Sequence, residues 1–299
     1  MLRKVRIILD SQTKKGVKEH KMVKLCFNQA TTLKNSNLEK DLELCEKHGY
    51  DYIEIRIEDK LPEYLKTHTS DDLVSFFKES HLKPLALNAL QFFNNRNEAD
   101  AEMIVSEFKE LVQTAHLIGA PYIVAVPLVT EEKILKRDIK ESCVKVLREL
   151  SSIAQPYGIK IAMEFIGHPQ CTVNTFGQAY EIVEAVGREN VGVVLDCFHF
   201  HAMGSELADL KKADISKIFI CHIDDTEDFP IGSLRDEDRL WPGLGVVDLT
   251  GILGMLKEKD FDGAMSVELF RPEYYELSAD EAIKVGKETS LAVIENIWK

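Results

Sequence analysis

The sequence predicts a single (β/α)8 TIM barrel, on two observations. Short apolar runs alternate with amphipathic stretches eight times between residues 22 and 299. Four consecutive runs each close on a polar residue: Glu164 after 159–163, Asp196 after 191–195, His222 after 218–221 and Glu268 after 265–267. Such runs read as buried parallel strands, and parallel strands require a crossover element between them. No shift in composition and no low-complexity segment divides the chain. A doubly wound sheet is the main alternative, and eight repeats suit the barrel better.

Each element has its own reason. Lys24–Asn28 is a short apolar strand. Leu38, Leu42 and Cys45 fall at helical spacing, and Gly49 stops that helix. Tyr52–Arg56 is a strand, followed by a helix over 71–80 with Ser70 as its N-cap. A strand over 84–90 precedes a long helix over 101–118, stopped by Gly119. Tyr122–Val126 is a strand closed by Pro127, and a helix over 131–157 ends at Gly158. The four polar-ended strands then alternate with helices at Phe176–Val186, 206–212, 249–259 and 280–298.

Composition narrows the function. The chain has 299 residues, 45% hydrophobic and 29% charged, with a formal net charge of −13. Such a balance disfavours nucleic acid or anionic membrane as a partner, because both select a basic face. No glycine-rich phosphate loop is present. Cys26, Cys45, Cys143, Cys171, Cys197 and Cys221 show no CxxC spacing, and read as packing residues in a reducing cytoplasm. No apolar stretch is long enough to span a bilayer. Residues 1–21 are rich in lysine and arginine, and read as a dispensable extension before a 22–299 barrel domain.

In a barrel of this kind catalytic residues sit at the C-terminal ends of the strands. Glu164, Asp196, His222 and Glu268 all occupy that position. Together they form an oxygen-rich donor set suited to one divalent cation: Mn²⁺, Mg²⁺, Co²⁺ or Zn²⁺. A cation held by three carboxylates keeps little net charge, and is better at gripping a ketone and a neighbouring hydroxyl than a free anion. That points to proton transfer next to a carbonyl, with Glu164 and Glu268 as acid/base groups. His199, three residues after Asp196, could orient substrate, hold a second ion or cap a helix. His168, Arg271, Asn28, Asn88 and Trp241 are further candidates for substrate contact, and Glu54 and Arg56 also end a strand on this rim. His201 is expected to face away. Asp224, Asp225 and Glu227 read as a solvated acidic loop, with Asp224 close enough to reach substrate.

Longer stretches carry a resemblance. They are Leu25-Cys26-Phe27-Asn28, residues 164–176 (EFIGHPQCTVNTF), 198–205 (FHFHAMGS), 222–232 (HIDDTEDFPIG) and 266–275 (SVELFRPEYY). The chain resembles the xylose-isomerase-like TIM barrels, the sugar isomerases and epimerases that also include endonuclease IV, over about residues 22–299. The resemblance is nearest to the keto-inositol isomerases of inositol catabolism. It implies that Glu164, Asp196, His222 and Glu268 hold the metal, and that 2-keto-myo-inositol and 1-keto-D-chiro-inositol interconvert through an enediol. A ketose 3-epimerase or a hydroxypyruvate-type isomerase would use the same metal and carboxylates. The family's nucleases need histidines at the ends of strands three and four and an Asp-x-His after strand seven. Here those strands end near Asn88 and Pro127, and no histidine follows His222.

Overall fold

The computed structural model describes residues 23–298. Eight parallel strands close into a barrel: β1 Lys24–Asn28, β2 Tyr52–Arg56, β3 Lys83–Gln91, β4 Tyr122–Val126, β5 Lys160–Glu164, β6 Val191–Asp196, β7 Ile218–His222 and, after a small hairpin, β10 Ala264–Val267. The hairpin pairs β8 Asp225–Thr226 with β9 Arg239–Leu240 in antiparallel register. Closure comes from β1, which pairs with β2 on one side and β10 on the other.

The helices are α1 Leu38–His48, α2 Lys60–Tyr64, α3 Ser70–Glu79, α4 Glu98–Ile118, α5 Lys136–Ala154, α6 Phe176–Val186, α7 Cys197–Ala202, α8 Leu207–Lys212, α9 Leu249–Glu258 and α10 Ala279–Ile297. Helix α1 shows how the sequence sets their ends. The Asn37 side chain accepts from the Lys40 N–H at its start, and Gly49 closes it at φ 71°.

Residues alternate between two environments along each strand, and this places the site. Ile53, Ile55, Ile161, Met163, Val193 and Leu195 face outward into the large core shared with the helices. Cys26, Ala86, Ala162, Val194, Ile220 and Ala264 face inward and fill the barrel. Two residues further along the same inward faces stand Asn28, Asn88, Glu164, Asp196 and His222. The interior therefore changes from apolar to polar in one step near the strand ends. At the opposite end Tyr122 stacks on Phe219 at 5.4 Å, and the Lys160 ammonium lies 5.2 Å from the Phe219 ring centre.

Several expectations shift. The helix expected over 131–157 runs only from Lys136 to Ala154, with Pro156 in a terminal 3-10 turn at Gln155–Tyr157. Proline lacks the N–H that a regular helical turn uses. Thr69, rather than Ser70, caps α3, forming a reciprocal pair with Asp72. The expected solvated acidic loop after β7 is instead buried at Asp224 and Asp225. Asp225 accepts backbone N–H groups from Thr226, Gly243 and Val247, and so ties the hairpin to the loop before α9. The basic segment 1–21 lies outside the described residues.

Candidate metal centre

Glu164, Asp196 and His222 end β5, β6 and β7, and Glu268 follows β10 directly. These strands are consecutive neighbours around the barrel. One donor atom from each of the four side chains lies within 4.8 Å of the others, and all four residues are buried. His222 Nδ1 is 2.9 Å from Glu164 Oε1, 3.1 Å from Glu268 Oε2 and 3.5 Å from Asp196 Oδ2. Despite that closeness, neither His222 Nδ1 nor Glu164 Oε1 makes a hydrogen bond. Buried polar atoms are nearly always satisfied. Close approach without bonding is the arrangement of donors aimed at one common centre, and it fits a divalent cation.

The electrostatics follow from crowding. Burial pushes the Glu164 carboxyl up to about 7, helped by Glu268 and Asp196 and opposed by His222. His222 is held well above the usual histidine range. Burial alone would lower it, but Glu268, Glu54 and Glu164 outweigh that. Asp196 lies well below the usual carboxylate range because Arg239, His199 and His222 overcome the cost of burial.

Two residues that bind this cluster together had no role, or only a minor one, in the sequence reading. Arg239 on β9 is completely buried. Its Nη1 donates to Asp196 Oδ2 at 2.8 Å and also to Asp224. Nε donates to Asp236 at 3.0 Å, and the guanidinium lies 4.5 Å from the Phe198 ring centre. Nothing near Arg239 in the sequence marks it as interior, because a two-residue hairpin strand carries no periodic signal. Glu54, on β2, is the second. Its Oε1 contacts His222 Nε2 at 3.1 Å, and its Oε2 accepts from Asn88 Nδ2 at 3.2 Å. A lone carboxylate inside Tyr-Ile-Glu-Ile-Arg, between two outward isoleucines, was the available signal.

The remaining candidates divide. His199 is buried in α7 beside the cluster, with Nε2 3.0 Å from Arg239 Nη2. Arginine can only donate, so this nitrogen accepts and Nδ1 carries the proton. Nδ1 has no partner in the protein. Asn28 Oδ1 accepts from the Ala30 N–H, while its Nδ2 is likewise buried and unpartnered. Asn88 is committed to Glu54. Arg271 is committed to Glu227 at 3.0 Å and Glu273 at 3.1 Å. Trp241 is 2% exposed and stacks on Tyr274 at 4.4 Å, which leaves almost no indole surface for a pocket wall. His168 sits in a tight turn, its Nδ1 accepting from the Gln170 N–H. Its charged neighbours are Arg235 and Asp236 rather than the cluster. Gly167 lets that turn pass α7, since a Cβ there would stand 2.7 Å from the His199 backbone. His201 is half-buried in α7.

Around β1 the structure adds support for Glu268. The Thr31 hydroxyl donates to the Val267 carbonyl and accepts from the Leu269 N–H, each at 3.1 Å. It thus clamps the chain on both sides of Glu268. The loop carrying Thr31 rests on buried Asp41, which accepts from Gln29 Nε2 at 2.8 Å and Thr32 Oγ1 at 3.0 Å. Lys60 Nζ donates to the carbonyls of Thr32 and Leu33 in the same loop.

The family model of the xylose isomerase-like TIM barrel matches residues 42–289. The chain belongs to this family. It is 71% identical over 272 residues to the inosose isomerase of Halalkalibacterium halodurans, covering 91% of this chain and 96% of that one. To the inosose isomerase of Bacillus subtilis strain 168 it is 66% identical over 276 residues, covering 92% and 99%. A crystal structure of the IOLI protein with a bound zinc atom superposes with a TM-score of 0.91 at 65% identity, covering 92% of this chain and 99% of that one.

Proposed function

We propose that this chain is a divalent-cation-dependent inosose isomerase that interconverts 2-keto-myo-inositol and 1-keto-D-chiro-inositol. One observation carries the reading: four buried donors from consecutive strand ends converge on one centre. Close similarity to inosose isomerases over nearly the whole chain supports the substrate. Glu164, Asp196, His222 and Glu268 would hold the cation, and zinc in the similar crystal structure makes Zn²⁺ a natural occupant. When bound, the cation polarises the ketone and stabilises the negative charge that develops on its oxygen.

The chain's own residues do the rest. Glu164 and Glu268 belong to the outer strands of the four, so they can bracket a substrate between them. One takes the proton from the hydroxyl-bearing carbon beside the ketone, leaving a cis-enediolate. A proton passes between the two oxygens, and a carboxylic acid returns a proton to the former carbonyl carbon. The unpartnered Nδ1–H of His199 and Nδ2 of Asn28 offer buried donors for substrate oxygens. Among the described residues no helix is long and apolar enough to cross a membrane. All six cysteines are free and buried, which supports placement in the cytoplasm.

Proton NMR of the zinc-loaded protein with 2-keto-myo-inositol in D₂O tests the reading. Expected is a second keto-inositol with deuterium at the carbon next to its carbonyl. Exchange with psicose or fructose, and none with the keto-inositol, would move the protein to the 3-epimerase branch.

A further inference from the structure

We propose that Glu54 is a positioning residue for the cation: it fixes His222 with the proton on Nε2 and the Nδ1 lone pair aimed at the centre. This rests on the metal reading above.

The contact is specific. In the barrel order β1 and β10 stand between β2 and β7, so Glu54 reaches His222 through the barrel interior rather than as a strand neighbour. Both side chains are completely inaccessible to solvent. Burying a carboxylate is costly unless its oxygens are used. Here both are used, one facing His222 Nε2 at 3.1 Å and the other accepting from Asn88 at 3.2 Å. Asn88 therefore holds Glu54 as Glu54 holds the imidazole. The three residues link β3, β2 and β7 in a single line.

The opposite nitrogen explains the purpose. His222 Nδ1 faces Glu164, Asp196 and Glu268 without hydrogen-bonding to any of them. Cation binding displaces one proton from the imidazolium, and a carboxylate on Nε2 keeps the remaining proton there, leaving Nδ1 to donate its lone pair. The negative charge beside the ring also raises the basicity of Nδ1. Removing such partners of metal-bound histidines weakens affinity by about 10–100-fold.

The test is competition for Zn²⁺ against a chromophoric chelator, using the full chain and two variants. Glu54→Gln keeps an acceptor for Nε2–H but removes the charge, and is expected to weaken zinc binding about tenfold. Glu54→Ala removes both and should approach about 100-fold. In ¹⁵N-labelled, zinc-free protein at a pH where the ring is neutral, His222 should report Nε2–H in the wild type and in Glu54→Gln, and a mixture of tautomers in Glu54→Ala. If Glu54→Ala does not fold, the near-isosteric Glu54→Gln still decides. Zinc affinities within twofold of wild type in every folded variant would overturn the proposal. A wild-type chain that takes up no divalent cation would instead overturn the metal reading beneath it.

Discussion

Arg239→Met is the most informative single change outside the proposed cation donors. Methionine keeps much of the volume and removes the charge. What remains is two buried carboxylates, Asp196 and Asp224, that shared one guanidinium. Asp236 is half exposed and recovers its solvation. Stranding a buried ionic partner costs about 3–5 kcal/mol. At about 2 °C per kcal/mol for a chain of this size, the melting temperature should fall by roughly 6–10 °C with a chelator present. Asp224 should bear most of the damage, since burial and the Asp196 charge already push its carboxyl well upward. Adding Asp224→Asn to Arg239→Met should therefore restore part of the loss, a coupling that a double-mutant cycle measures directly. Scanning calorimetry of the three variants and the wild type provides the assay. A melting temperature for Arg239→Met within about 2 °C of wild type, or a double variant no better than the single, would refute the view that this arginine neutralises the interior.

Three other outcomes follow from the same geometry. Glu268→Gln should lower kcat by about 10²–10⁴-fold while the circular dichroism spectrum stays that of the wild type; an active variant would remove Glu268 from the acid/base pair. Thr31→Val deletes the hydroxyl that clamps both peptides around Glu268. It should reduce kcat about tenfold with little change in KM, and Thr31→Ser should restore it. The buried Asp41 carboxyl is pushed up to about 6 from an unfolded value of 3.8, chiefly by burial. Between those values the folded chain binds more protons than the unfolded one, so this group's contribution to stability declines as pH rises. Urea unfolding of Asp41→Asn should then show its stability relative to wild type improving from about pH 4 to pH 6. A difference that stays constant across that window would remove Asp41 as the cause.

The barrel was legible because its strands obey one simple rule. On β5, β6 and β7 the outward positions are apolar and the inward face turns polar only at the last residue, so Glu164, Asp196 and His222 announce themselves at run ends. Glu268 follows the same pattern one residue beyond its strand. Helix ends were harder to read, because caps and terminal turns depend on single hydrogen bonds such as the Thr69–Asp72 pair. What escaped the sequence were residues whose role is set by long-range contact. Arg239 comes from a hairpin of two-residue strands, and its partners lie on β6, α7 and the β7–β8 link. Asp224 and Asp225 look like surface acids until the guanidinium and the backbone N–H groups that bind them are located. Trp241 and Arg271 were read from their position on the rim; in the structure Trp241 stacks on Tyr274, and Arg271 pairs with Glu227 and Glu273.

The Tyr122–Phe219 stack with Lys160 over it separates two kinds of change during evolution. It closes the floor with rings and a capping ammonium and touches none of the chemistry at the mouth. Substitutions there are free to tune thermal tolerance while turnover stays constant. Loops after the strands can be lengthened or exchanged to admit a different polyol without reopening the base. A laboratory selection on this scaffold would therefore be expected to collect its stabilising changes at the floor and its substrate changes at the rim, with few positions appearing in both sets.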